Sequence, residues 1–351
     1  MKTREALKFV MQSISGAANA AAMKSAAVAG IMAVLLMACS GEEPGQGHQV
    51  ASNTEIRLGS IGLDHPIGTR SYYADTYNTA LPAGKEIDVF IYDNEGNFVV
   101  NSDQPQTGVW IYQTVGEADG NGNSTLGLYS PTKAPKYPAE NNVNKDYVTV
   151  FGVFPSDNTR TKTTTSYTFS VADDQTTEAN ILASDLMANT SSTSTHYTYD
   201  WCNENSITLA MTHQMAKVHV TLVASGDITA DNIPTALTVK NVYRTVTITP
   251  TSGTVSTSTT APSDIAITTE QAFFLPPQTI TEGTTLLQFD ITATGVFHGI
   301  TGATFAPSAD VTFEANKVYE VTVTVNVDFA TAKASISGWV NESLSFNDYI
   351  L

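Results

Sequence analysis

The chain is short of cysteine and of cations, and beyond its first forty residues it has no sustained helical periodicity. Only Cys39 and Cys202 serve 351 residues. With Cys39 committed as described below, no intrachain disulfide remains, so the fold must be held by its apolar core. Cys202 then reads as a small buried hydrophobe. Lys and Arg number 17 against 34 Asp and Glu, a formal net charge of −17. Residues 1–38 hold four cations and one acid, a net +3, so the chain beyond them stands at −20. Such an acidic excess repels phosphate backbones and anionic membrane surfaces, and it argues against nucleic acid as a partner. No apolar run reaches the ~18–20 residues of a bilayer-spanning helix. There is no nucleophile-elbow sequence, zinc-type His/Glu spacing or phosphate loop, so neither an enzyme nor a cofactor is expected. His213 and His219 would lie ~20 Å apart on a strand, too far to share a metal. Asp93-Asn94-Glu95-Gly96 and Glu117-Ala118-Asp119-Gly120-Asn121 lack the oxygen spacing and closing Glu of a calcium loop, and read as turns.

What is present begins with an address. Lys2, Arg4 and Lys8 precede an apolar run from Ser25 to Ala38, the pattern of an export signal. Small Ala38 stands before Cys39, and Leu36-Met37-Ala38-Cys39 resembles a bacterial lipobox. In that motif the chain is cut between Ala38 and Cys39 and the thiol is acylated. Ser40-Gly41-Glu42-Glu43 and the Pro/Gly/Gln stretch to Gln49 read as a flexible tether. The acidic pair behind the cysteine resembles the surface-export signal of Bacteroidetes lipoproteins.

The full chain is 42% apolar and, at 351 residues, long enough for about two domains of ~150 residues. Strand patterns dominate it. Ile87, Val89 and Ile91 alternate with Asp88, Phe90 and Tyr92. Tyr147 to Phe154 is apolar on both faces, as a central strand would be, and Pro155 ends it. Thr177 to Ala188 holds at most a short helical turn, with Ser184 as a possible cap. Asn189 to Thr195 is the candidate domain junction. Beyond it Ala216, Val218, Val220 and Leu222 alternate with Lys217, His219 and Thr221. Tyr319, Val321, Val323, Val325, Val327 and Phe329 alternate strictly with polar residues, as in a half-buried antiparallel strand. The expected architecture is all-β: two antiparallel β-sandwich domains in series, at 71–200 and 201–351, behind a signal peptide (1–38) and a tethered segment (39–70).

Several segments together resemble the fimbrillin family of Bacteroidales, the subunits of lipoprotein-derived pili. They are Thr69-Arg70, Tyr147 to Pro155, Asp174-Gln175, Ser184-Asp185-Leu186-Met187, His213-Gln214-Met215-Ala216-Lys217-Val218, Ala315 to Tyr319 and Ile336 to Trp339. Each is weak alone, but they keep the family's order over almost the whole exported chain. The resemblance implies transthyretin-like sandwiches and a lipidated precursor carried to the outer surface. It implies a trypsin-like protease that cuts after an Arg. The short N-terminal strand then leaves, and another subunit's strand fills the groove.

The residues hold the parts that such a scheme requires. Ile56, Leu58, Ile61 and Leu63 are apolar, and the step from 58 to 61 breaks alternation, where Gly59 would supply a bulge. Arg70-Ser71 is the expected cleavage site, because it follows a Gly/Thr linker. Arg57 competes but lies inside the strand. Leu344, Phe346 and Ile350 give the last stretch the alternation of a donor strand. The expected partners are other fimbrial subunits, the protease, the outer membrane through lipid on Cys39, and a host or bacterial surface ligand. In the plainer reading 54–63 stays as the first strand and 340–351 is simply the last. Two further alternatives remain. One is a tip or accessory adhesin of the same fold. The other is a glycan-binding surface lipoprotein using Tyr72, Tyr73 and Tyr77.

Overall fold

A computed structural model describes residues 54–63, 80–100, 108–140, 143–157, 159–161, 163–189, 195–294, 298–326, 332–338 and 343–348, the last two as strand pairing only. The chain is all-β. One sheet closes on itself in the order β1 (Leu58–Leu63), β10 (Ile207–His213), β9 (Met187–Ala188), β7 (Val148–Phe154), β2 (Glu86–Asp93), β3 (Trp110–Val115) and β4 (Ser124–Ser130). A five-stranded sheet runs β16 (Phe273–Leu275), β11 (Ala216–Ala224), β21 (Val318–Val325), β22 (Ala332–Gly338) and β23 (Ser343–Asp348). A four-stranded sheet runs β15 (Ser263–Thr268), β12 (Ala236–Val242), β18 (Leu287–Ile291) and β19 (Ile300–Phe305). A three-stranded sheet runs β14 (Thr254–Thr257), β13 (Thr245–Thr249) and β8 (Tyr167–Ser170). Two small pairs remain, β17 (Gln278–Ile280) with β20 (Val311–Phe313), and β5 (Ala139–Glu140) with β6 (Val143–Asn144).

Strands β2 and β7 explain how this fold is filled. On β2, Ile87, Val89 and Ile91 enter one hydrophobic cluster while Phe90 and Tyr92 enter another. On β7, Val148, Val150 and Phe154 join the first and Phe151 and Val153 the second. The two strands are neighbours, so they form a wall with core on both faces. That is why Tyr147 to Phe154 carries apolar residues at odd and even positions. The inner cluster lies within the closed sheet. The outer one continues through Val218, Val220, Val239, Phe289 and Val323 into the rest of the chain.

Three features differ from the sequence expectation. First, two pairings are parallel, β1 with β10 and β11 with β21. In each case a long stretch of chain separates the two strands, which permits a parallel crossover that a hairpin does not. Second, β10 is a member of the closed sheet although it lies beyond the expected boundary at 200/201. Third, Ser184 closes the short helix α1 (Glu178–Ala183) instead of starting it; Thr177 is its N-cap. Ser184 Oγ accepts from the Ala172 amide at 2.9 Å and donates to the Asn180 carbonyl at 2.8 Å. A second short helix, α2 (Tyr199–Glu204), had no clear apolar period to announce it and is capped by Thr198.

The wall also carries a buried charge pair. Asp88 on β2 is bonded to Arg160 and to the Ser156 hydroxyl, and the Arg160 guanidinium lies 4.0 Å over the Tyr167 ring. Burial lifts the Asp88 carboxyl above the usual carboxylate range, and Arg160 pulls against that shift. Removing one member leaves the other charge stranded. Asp88→Ala is therefore expected to cost about 3 kcal/mol, the low end for a buried pair because Asp157 still reaches Arg160 at 3.3 Å. The double change Asp88→Leu with Arg160→Met is expected to cost much less. Urea unfolding of the three proteins measures the difference.

Candidate assembly site

Strand β1 lies between β4 and β10, antiparallel to the first and parallel to the second. Its register with β10 slips once, between Leu58↔Ile207 and Ser60↔Thr208, which leaves Gly59 as a bulge. The bulge restores the phase of the apolar residues after one extra position. Ile56, Leu58 and Ile61 are 0, 5 and 2% exposed and all enter the inner cluster, with Leu63 packed at its margin. Two glycines let the backbone sit this close. A Cβ at Gly59 would come within 2.9 Å of Ser206 Cβ, and one at Gly62 would run into the Asn123 side-chain amide.

The start of the segment is held by other means. Ile56 N–H donates to the Pro135 carbonyl at 2.7 Å, and Tyr137 N–H donates to the Thr54 carbonyl at 2.9 Å. The Thr54 hydroxyl lies 3.0 Å from the Tyr199 hydroxyl, and Arg57 Nη2 donates to the Asn203 carbonyl at 3.3 Å. Both partners belong to α2. The Arg57 carbonyl accepts from the Ile207 amide at 2.7 Å, so its peptide unit is part of the sheet while its side chain is exposed. A protease needs an extended, free backbone, and this one is engaged.

Most of the segments carrying the family resemblance meet on the far side of β10. Gln175 is fully buried; its amide nitrogen donates to the Phe274 carbonyl at 2.9 Å and its oxygen accepts from the Phe274 amide at 2.8 Å. One side chain thus stands in for a strand beside β16. Asp185 and His213 are paired at 2.7 Å, each about 2% exposed. Gln214 donates to the Thr212 carbonyl at 2.9 Å, and Asn189 accepts from the Gly152 amide and donates to the Val150 carbonyl. Gln175 thus serves the backbone of β16, Gln214 that of β10 and Asn189 that of β7, while Asp185 and His213 serve each other. Their role is to hold the fold. Cys202 sits in the core, where burial pushes its thiol up to about 12, as befits an inert small hydrophobe. His219 sits on β11 with Nδ1 2.8 Å from Glu320 and Nε2 3.1 Å from the Thr269 carbonyl.

Other expected site residues separate from this group. Leu344 and Phe346 lie on β23, which pairs along its length with β22, Leu344 opposite Ile336 and Phe346 opposite Ala334. Ala38, Cys39, Arg70, Ser71 and Ile350, and the tyrosines Tyr72, Tyr73 and Tyr77, lie outside the described residues. Sequence reasoning missed the α2 clamp on Thr54 and Arg57. The Thr198 cap before Tyr199-Asp200-Trp201 was its one local signal. It also missed Asp88–Arg160, whose members are 72 positions apart.

The described residues make an all-β fold of several sheets, with a strand from the N-terminal side inserted into the closed one. Solved structures are similar to it at the level of fold. A candidate cell adhesion protein of Bacteroides uniformis is similar over 81% of this chain and 96% of its own, with 17% identity and a TM-score of 0.53. One from Bacteroides ovatus is similar over 86% and 99%, with 13% identity and a TM-score of 0.52. No curated protein sequence matches. A family model described as fimbrillin-like matches residues 69–339. The chain belongs to the fimbrillin-like family, and with that membership comes a fimbrial role at the cell surface.

The buried His213 gives this region a pH dependence. Burial pushes its pKa down, but the Asp185 charge and hydrogen bond outweigh that and raise it overall. Its folded value therefore lies above the unfolded ~6.5, so the pair's contribution is full below that pH and is lost as pH rises through the folded value. The stability advantage of the wild type over His213→Gln is expected to shrink as pH rises from about 6 to 9. Urea midpoints across that range would show it; a constant difference would mean that the ring does not change its charge there.

Proposed function

We propose that this protein is a structural subunit of a fimbria whose first strand is a removable plug. The precursor is cut between Ala38 and Cys39 and lipidated on Cys39, which ties it to the outer membrane. A trypsin-like protease cuts after Arg70, so that the new chain starts at Ser71. The segment that holds β1 then leaves, and a strand of another subunit takes its place. Repetition builds a head-to-tail filament, because groove and donor are different surfaces. Adhesion to a host or bacterial ligand is the downstream effect, and the chain itself does no catalysis.

The observation that carries this reading is the place of β1. It is the one strand of the closed sheet that lies before Arg70, and it has neighbours on both sides. Its Leu58 and Ile61, with Ile56 just before it, are almost wholly buried, and each contributes roughly 1.5–3 kcal/mol of hydrophobic stabilisation. Loss of this strand leaves unpaired edges on β4 and β10 and an open apolar groove, a state that favours strand capture. The engaged backbone at Arg57 supports Arg70 as the site of attack.

One observation favours the tip or accessory version. β23, which contains Leu344 and Phe346, is paired with β22 in the same sheet of the same chain. A strand kept there is not donated, as suits a subunit that only accepts. The stalk version needs this edge strand to detach.

Limited trypsin digestion of the exported chain, residues 39–351, tests both. The expected product begins at Ser71, retains an intact Arg57–Leu58 bond in the released segment, and gives ladders on a gel run without boiling. A product that begins at Ser71 but stays monomeric supports the tip version. Resistance at Arg70, or prior cleavage at Arg57, would overturn the removable-plug reading.

A further inference from the structure

The outer backbone groups of an edge strand pair with any strand that comes near, so sheet edges are normally guarded. Three described edges here carry a guard. β16 is covered by the Gln175 amide, which takes both backbone groups of Phe274. β15 carries the exposed Asp264, which meets Lys240. β19 is broken by Gly302, which has a positive φ of 69° and an amide held by Asp290. β14 has none of these devices. It ends the three-stranded sheet, with β13 on one side and no described strand on the other. Residues 245–263 around it contain no charged side chain, in a chain whose net charge is −17.

The register of β14 shows which of its groups face outward. The Ser258 amide donates to the Thr245 carbonyl at 2.8 Å, and Val246, Thr247 and Ile248 lie opposite Thr257, Ser256 and Val255. Antiparallel pairs alternate between bonded and non-bonded, so Val255 and Thr257 turn their amides and carbonyls away from β13. Ser256 lies between them with its side chain on the other face of the sheet, exposed.

We infer that β14 is a lateral contact between two copies of this chain, pairing antiparallel with its own equivalent about a two-fold axis at Ser256. Val255 of each copy then exchanges both backbone bonds with Thr257 of the other. The two Ser256 residues stand opposite as the non-bonded pair between them, with Cα atoms about 4.5 Å apart. Such a contact uses the same patch on both copies. Charge and length argue for this occupant. Acidic copies repel one another, and this edge brings no carboxylates together. A charged partner finds nothing there to complement it. The edge offers only two outward residues, between the turn at Gly253 (φ 62°) and Pro262, so a longer strand gains little from its length. A few backbone bonds make a weak contact alone. In the filament proposed above the contact repeats, and avidity turns it into a bond between neighbouring fimbriae. That last step rests on the fimbrial-subunit reading; the pair contact needs no strand exchange and is tested on the uncut chain.

The test uses residues 39–351 with Cys39→Ser. Sedimentation at concentrations up to about 1 mM, the range of a weak contact, is expected to show a monomer–dimer equilibrium. Like charges directly opposite destabilise a strand pair. Ser256→Lys and Ser256→Glu are therefore each expected to abolish the dimer alone, and an equal mixture of the two is expected to restore it. Under mild oxidation Ser256→Cys is expected to form a linked dimer at least about tenfold faster than Thr168→Cys, an equally exposed position on β8, because opposed residues lie within disulfide reach. A monomer throughout the concentration range would overturn the inference. So would a dimer that survives Ser256→Lys, a mixture that stays monomeric, or equal rates for the two cysteine variants. None of these outcomes bears on cleavage at Arg70, so the removable-plug reading stands or falls separately.

Discussion

The gap between β4 and β10 is one strand wide, and the fold depends on its being filled. Backbone amides and carbonyls on both sides need partners, and the inner cluster needs Ile56, Leu58 and Ile61. The chain meets these needs with a segment that comes before every other described strand. A strand placed there is separable in a way that β2 or β7 is not. Those two form the wall with core on either face, and the chain continues into structure at both of their ends. β1 is the first strand among the described residues, and Arg70 lies between it and β2 in the sequence. On the proposed reading, one bond separates a strand that closes the sheet from a strand that can leave it.

The same sheet shows why the family segments are where they are. β10 borders the groove with one edge and β9 with the other. Within three residues the chain turns from β10 into β11, which pairs with β21, which pairs with β22 and so with β23. The groove and the tail strand β23 thus lie in two different sheets that the chain joins directly at the step from β10 to β11. Around the turn between β10 and β11, Gln214 donates to the Thr212 carbonyl and His213 is paired with Asp185, while Gln175 serves the Phe274 backbone on β16. A polar seam of this kind specifies one arrangement of two sheets more sharply than apolar packing does, because an alternative arrangement strands its polar groups.

Much of this was legible in the sequence. Alternation located β21 and the two-faced pattern located β7, because both report burial on a period of two. The irregular step from Leu58 to Ile61 disclosed the bulge, since a glycine stood at the break. What escaped was set by distant partners. Nothing local in Asp88 points to Arg160, and nothing in Lys217 or His219 tells that the second face of β11 is also covered; both are nearly buried. Val239 to Thr249 reads as one β-branched stretch but divides into β12 and β13, which enter different sheets, with Asn241 at a positive φ of 58° just before the break. The parallel pairings were equally hidden, because strand direction is decided by the route of the intervening chain and leaves no mark on the alternation itself.

If strands are exchanged as proposed, the direction follows from comparing two places for the tail. Among the described residues β23 is an edge strand of its own chain: β22 flanks it on one side, and no described strand flanks the other. In the groove a strand has β4 on one side and β10 on the other. The second place offers backbone partners on both sides and closes an exposed apolar surface, so a tail that moves there gains what an edge cannot provide. While β1 is covalently attached it competes from a short tether, at an effective concentration that an external strand does not match. On the proposed reading, cleavage would remove that advantage without altering any contact within the sheet. Connectivity would then protect the precursor from premature polymerisation, and an imbalance between one edge and one gap would drive the cut subunit to assemble.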